Sequence, residues 1–129
     1  MFAQVLGLNT CWVALTYKKV RSAYVIGEGE KLCLVISLGY GETQGKEHKS
    51  KDISSVAKLK GDEPDWFLGG VRCALKAPTA INQQKFCFEY ENGKVKLTMN
   101  TRICTMIDKG IVRYHFELGS GRGSEVFSD

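Results

Sequence analysis

Residues 85–99 constrain the fold of this chain most tightly. Lys85-Phe86-Cys87-Phe88-Glu89-Tyr90-Glu91 alternates apolar and polar side chains, and Lys94-Val95-Lys96-Leu97-Thr98-Met99 does so again after Asn92-Gly93. Alternation with period two puts successive side chains on opposite faces of an extended strand. Asn and Gly both tolerate the positive φ that a tight two-residue hairpin turn demands. An antiparallel hairpin is therefore predicted.

Helical patterns flank this hairpin. Asp62-Glu63-Pro64 is a helix start, with acid in the first turn and proline near the first helical position. The helix is expected to run to about Lys76 and to carry Trp66, Phe67, Val71, Ala74 and Leu75 on one broad face, with Pro78 as its stop. Apolar or aromatic residues at 107, 111, 112, 114, 116 and 118 fit a largely buried helix ending at Gly119. Residues 120–129 are rich in Gly and Ser and read as a flexible, frayed tail after a domain of residues 1–119. Earlier in the chain, Lys31 to Leu38 is a near-continuous apolar run, the mark of a strand covered on both faces. Residues 17–31 read as loop or short helix, 39–51 as loop, and 52–61 as at most one weak helical turn. Thr10 to Leu15 is a short apolar strand or tight loop. Phe2 to Asn9 reads as the last turns of an amphipathic helix stopped by Gly7 or Asn9. Helices rarely open a domain in mid-course, so the chain is expected to be the back part of something longer. The class is α+β, with a mixed, mainly antiparallel sheet flanked by helices.

With 129 residues, 43% hydrophobic and 25% charged, the chain is ordinary for a globular domain. Its net charge of +4 is mild, and no dense basic stripe interleaved with aromatics points to nucleic acid. No apolar run of about 18 residues suggests a membrane span, and Met1-Phe2-Ala3-Gln4-Val5-Leu6 lacks the pattern of a secretory leader. The expected location is the cytoplasm. Cysteines 11, 33, 73, 87 and 104 form no CxxC and sit among apolar neighbours, so they are expected to be small buried residues in a reducing compartment. No metal site is expected from this spacing. Trp12 and Trp66 are expected in the core, and His115 as a satisfied histidine in an apolar helix.

Two segments carry the candidate chemistry. Gly39-Tyr40-Gly41 closes the apolar run and is followed by Lys49-Ser50-Lys51. Glycines at a strand end let a planar or anionic ligand approach the backbone. Lysines at i, i+2 in extended chain point the same way and can neutralise a dianionic phosphate; the same pattern also suits a solvated basic loop. Ala77-Pro78-Thr79-Ala80-Ile81-Asn82-Gln83-Gln84 packs a hydroxyl and three amides between two core elements. Amides present donor and acceptor side by side, as a polar heterocyclic ring edge requires, although such a loop can also satisfy only its own backbone.

Together these segments resemble the nitroreductase family of flavin enzymes. The family's "APSSxNxQPW" stands here as APTAINQQKF (77–86), and its "GYG…K-S-R/K" as GYG (39–41) and KSK (49–51). Its "LGLxTCW" stands as LGLNTCWVAL (6–15), and its "DxGIxxxHFELG" as DKGIVRYHFELG (108–119). The order of segments is most similar to a bacterial subgroup. The resemblance implies an FMN-dependent oxidoreductase that takes electrons from NAD(P)H and passes them to nitroaromatic, quinone or flavin acceptors. It implies Lys49 and Lys51 on the phosphate side and Asn82 and Gln84 near the isoalloxazine. It also implies Val13, Ala14 and Leu15 in a loop approaching the flavin, and Gly39, Tyr40 and Gly41 beside it. No side-chain acid, base or metal ligand is implied. The family's arginine-rich "RRSxRxF" segment is absent, and Lys85-Phe86 stands where Pro-Trp would. The chain therefore matches a C-terminal portion of the family pattern, and pairing as a homodimer or with a front-half chain is expected to complete the site. A non-catalytic flavin-binding or interaction module is the alternative.

Overall fold

The computed structural model describes residues 2–14, 16–47, 49–100 and 104–128, with Arg21 described by its backbone alone. It divides into two compact units, Met1–Glu47 and His48–Asp129.

The second unit contains the predicted hairpin. Strand β4 (Phe86–Glu91) pairs antiparallel with β5 (Lys94–Met99), and Asn92 and Gly93 turn between them at φ 51° and 77°. A two-residue strand, β3 (Ala57–Lys58), adds in parallel to β4, giving the order β3-β4-β5. The cross-strand partners Phe86↔Met99, Phe88↔Leu97 and Tyr90↔Val95 supply the apolar face, with Phe86, Phe88 and Val95 buried. On the other face Glu89 sits opposite Lys96 and accepts from the Lys58 ammonium at 2.9 Å. That hydrogen bond holds the Glu89 carboxyl below its ordinary range and Lys58 above its own. Lys58 is exposed and Glu89 partly so, and a pair so accessible to solvent adds little to stability.

Helix α2 (Asp65–Ala74) buries Phe67, Gly70, Val71 and Ala74, a stripe spaced i, i+3, i+4, i+7. It starts later than the sequence suggests because Pro64 is extended, at ψ 152°. Helix α3 (Thr105–Ser120) buries Asp108, Val112 and Phe116 and closes at Gly121, at φ 66°. It is buried along one stripe rather than largely buried: Tyr114 and Leu118 are exposed, each about 200° round the helix from Val112 or Phe116. Phe116 is the hub of the core. Its ring stacks on Phe88 at 4.8 Å and meets Phe67 at 5.8 Å and Phe127 at 5.3 Å.

Residues 120–128 pack instead of fraying. Val126 and Phe127 are buried, Phe127 bridges to Val95 in parallel, and the Ser128 N–H donates to the Val95 carbonyl at 2.9 Å. Arg113 lies 4.4 Å from the centre of the Phe127 ring. The apolar pair found an open edge beside β5, which outweighed the loop-like composition around it.

In the first unit, a short helix α1 (Phe2–Val5) precedes a ribbon of β1 (Asn9–Val13) and β2 (Val35–Gly39), antiparallel from Asn9↔Gly39 to Val13↔Val35. The expectation of a strand covered on both faces fails here: Ile36 is 48% exposed and Leu38 62%. An apolar run signals a need for cover, but pairing with β1 satisfies only the strand edge. Trp12 is likewise exposed rather than core, whereas Trp66 packs edge-on against Tyr90 at 5.6 Å. The cysteines also depart from expectation: Cys11 and Cys33 are exposed, the other three are partly buried, and all five are free thiols. Among the described residues, no helix is long and apolar enough to cross a membrane.

Close approach between α2 and α3 depends on glycine. A Cβ on Gly70 would lie 2.6 Å from the Phe116 ring, whereas one on Gly110 would meet nothing within 4 Å. Gly70→Ala is expected to destabilise the protein by about 1–3 kcal/mol through overpacking. Gly110→Ala is expected to stabilise it by about 0.5–1 kcal/mol. Urea unfolding of the two variants reads both signs.

Candidate functional site

The loop between α2 and β4 has an unusual backbone. Ile81, Asn82 and Gln84 all take positive φ, at 49°, 52° and 44°. For a β-branched residue such as Ile81 this is an outlier, and such positions cost on the order of 1–3 kcal/mol each. They persist only where the surroundings over-determine them.

Three buried polar residues do so here. Thr79, Gln84 and Asp108 are the buried polar or charged residues among those described, and all belong to one network. The Gln84 N–H donates to the Thr79 hydroxyl at 3.1 Å. The Ala80 N–H points at the Asp108 carboxylate, 3.1 and 3.2 Å from its two oxygens. The Gln83 side-chain amide donates to Asp108 Oδ2 at 2.8 Å. No buried side-chain nitrogen or oxygen among the described residues lacks a partner.

The same loop grips the lysine segment. Gln84 Nε2 donates to the Lys49 carbonyl at 2.8 Å and to Asn82 Oδ1 at 2.7 Å. Gln84 Oε1 accepts from the Lys51 N–H at 2.9 Å. Asn82 Nδ2 adds a second bond to the Lys49 carbonyl at 3.0 Å. The Lys51 ammonium donates to the carbonyls of Gln83 and Gln84 at 2.9 and 3.0 Å. Lys49, Lys51, Asn82 and Gln84, taken from sequence positions more than thirty residues apart, thus meet in one place.

Their roles within it differ. Gln84 is 2% exposed and directs both its amide hydrogens into the chain, so it acts as a brace. Lys49, Lys51 and Asn82 are exposed. Among the described residues the Lys49 ammonium makes no hydrogen bond or ion pair. Lys51 retains one ammonium hydrogen, and Asn82 one amide hydrogen. The outward chemistry of this patch is cationic and donor-rich.

The remaining sequence candidates lie in the first unit. The Gly41 N–H donates to Asn9 Oδ1 at 3.1 Å, and Asn9 Nδ2 donates to the Thr43 carbonyl at 3.2 Å; these bonds fix the turn after β2. Tyr40 on that turn is 84% exposed. Gly39 pairs with Asn9, while Val13 pairs with Val35. The glycines and the Val13-Ala14 segment therefore lie at opposite ends of the ribbon, about 13 Å apart along the strand. Leu15 lies outside the described residues. Among the cysteines, burial pushes the Cys87 thiol up, the opposite of an activated thiolate.

A comparison with known families decides what this arrangement belongs to. Residues 1–120 match the model of a family described as "Putative TM nitroreductase". The chain belongs to this nitroreductase family. Among solved structures, it is similar to one from Thermotoga maritima titled a "putative nitroreductase". The TM-score is 0.70 at 23% identity, over 92% of this chain and 48% of the other. The chain thus spans about half the length of the structure it matches, and it shares the α+β nitroreductase fold over that span. No curated protein matches it.

Sequence reasoning missed three members of the site. Thr79 and Gln83 were visible only as polar loop residues. Asp108 sits within a family-like motif, but nothing in its spacing says that it faces a loop some twenty-five residues earlier. Gln84→Leu is expected to cost about 1–3 kcal/mol by leaving the Lys51 N–H without its partner. Urea unfolding is the check, and a change within experimental error would show that the amide is no brace.

Proposed function

We propose that this nitroreductase-family chain is an FMN-dependent oxidoreductase that passes electrons from NAD(P)H to nitroaromatic, quinone or flavin acceptors. The observation that carries this reading is the latch between residues 49–51 and 79–84. It brings the Lys49 backbone, the Lys51 ammonium and the Asn82 amide together, with both lysines and Asn82 exposed and a buried network behind them.

The donor set suits the cofactor. Lys49 and the remaining Lys51 ammonium hydrogen supply positive charge for a dianionic phosphate, and charge-assisted bonds of this kind are the stronger class. The two carbonyls that accept from Lys51 orient its ammonium. Asn82 offers an amide hydrogen to a polar ring edge or ribityl oxygen. Gly39, Tyr40, Gly41, Val13, Ala14 and Leu15 are further flavin-binding candidates, and this proposal rests on their match to the family segments alone. When bound, FMN would supply the hydride and electron transfer that no amino-acid side chain provides. The protein's own task is to hold, orient and shield.

A second reading, a non-catalytic flavin-binding or interaction module completed by another chain, is favoured by one observation. Trp12, Ile36, Leu38 and Tyr40 leave the β1–β2 ribbon substantially apolar on its surface, and such patches mark interaction sites. A second copy or a front-half chain is the proposed partner. Sedimentation with and without FMN distinguishes self-pairing from a monomer.

The purified chain is expected to show flavin absorption bands that survive desalting after FMN is added, and to oxidise NAD(P)H in the presence of a quinone. Bound FMN without NAD(P)H oxidation would select the flavin-binding form of the second reading, and no retained FMN would overturn the first reading and leave the interaction module. Lys49→Ala is expected to weaken FMN binding about tenfold to a hundredfold, the loss of one charge-assisted contact, with unfolding unchanged.

A further inference from the structure

The carboxylate of Asp108 is 2% exposed and has no cationic partner among the described residues. A buried charge is costly unless hydrogen bonds compensate it, and an apolar side chain at this point of the α3 stripe would serve the core better. Its partners all lie in one short loop. The Ala80 N–H and the Gln83 side-chain amide converge on it. They flank Ile81 and Asn82, the two consecutive residues at positive φ. One carboxylate therefore pins both ends of a strained segment.

We propose that Asp108 is a positioning residue: through the pinned loop it sets where the Lys51 ammonium and the Asn82 amide stand to receive an anionic ligand. The transmission is short. The carbonyls of Gln83 and Gln84, which orient the Lys51 ammonium, take their directions from the backbone that Asp108 holds. Asn82 lies between the two pinned residues and carries the Lys49 carbonyl. The scaffold is rigid because Asp108 shares its helical stripe with Val112 and Phe116, which anchor in the core, and a site gains precision from supports on regular elements. Asp108 need not touch the ligand. Its effect on FMN affinity rests on the function proposed above; its control of the loop does not.

The test combines amide hydrogen exchange on the ligand-free protein with FMN titration. In Asp108→Asn, one of the two acceptors facing the Ala80 N–H and the Gln83 amide becomes a donor. The N–H groups of Ala80 and Lys51 are expected to exchange about tenfold faster or more, while the Phe88 N–H, bonded to the Val56 carbonyl at 2.8 Å, stays as in wild type. FMN binding is expected to weaken about tenfold. The double variant Asp108→Asn/Gln83→Glu exchanges donor and acceptor across the same contact and is expected to restore both readouts. Should Asp108→Asn lose its fold, Gln83→Met removes the loop's side-chain donor to Asp108 and is read at the Lys51 N–H and by FMN titration. Wild-type exchange at Lys51, or wild-type FMN affinity with a loosened loop, overturns the proposal. If the wild-type protein itself fails to bind FMN, the proposed function falls and exchange alone decides the role of Asp108.

Discussion

A polar group can be buried only if its hydrogen bonds are met inside the protein. This chain buries Thr79, Gln84 and Asp108, and it does so in one network around one loop. The network compensates a backbone that three side-chain-bearing residues would otherwise avoid. Without it, nothing in local preference would hold Ile81 and its neighbours in the left-handed region, and the lysine segment would lose its anchor. Expensive polar burial concentrated at one point is how folds mark a place where geometry matters more than stability.

The rest of the second unit makes that network possible. Helix α3 carries Phe116 and Asp108 on one stripe, so the aromatic core and the polar brace share a rigid element. Strand β4 begins at Phe86, close behind Gln84, so the pairing of β4 with β5 fixes the far end of the loop. Gly70 lets α3 come close enough for Phe116 to reach Phe88. Packing and polar satisfaction therefore constrain the same backbone from opposite sides.

Much of this was legible from local pattern. The hairpin declared itself through period-two alternation and Asn92-Gly93, because one turn type needs those residues. Helices α2 and α3 followed from apolar spacing, and the four family-like segments led to the nitroreductase fold. What stayed hidden depended on distant partners. The two-residue β3 is too short to show a period. Val126 and Phe127 lie in a Gly- and Ser-rich context and pack only because β5 leaves an edge open. Lys49, Lys51, Asn82 and Gln84 were singled out together, yet nothing local tells an outward amide from a brace; only the direction of Gln84 in three dimensions does. The apolar run ending at Gly39 announced a need for cover without saying what would meet it.

The functional reading turns on phosphate recognition by the exposed lysines of the latch. Comparing the binding of FMN with that of riboflavin, which lacks the phosphate, over a series of salt concentrations probes this most directly. FMN should bind at least about tenfold more tightly at low salt, with the advantage shrinking as ions screen the ammonium groups. Equal affinity for the two flavins at every salt concentration would contradict the phosphate grip on which the reading stands.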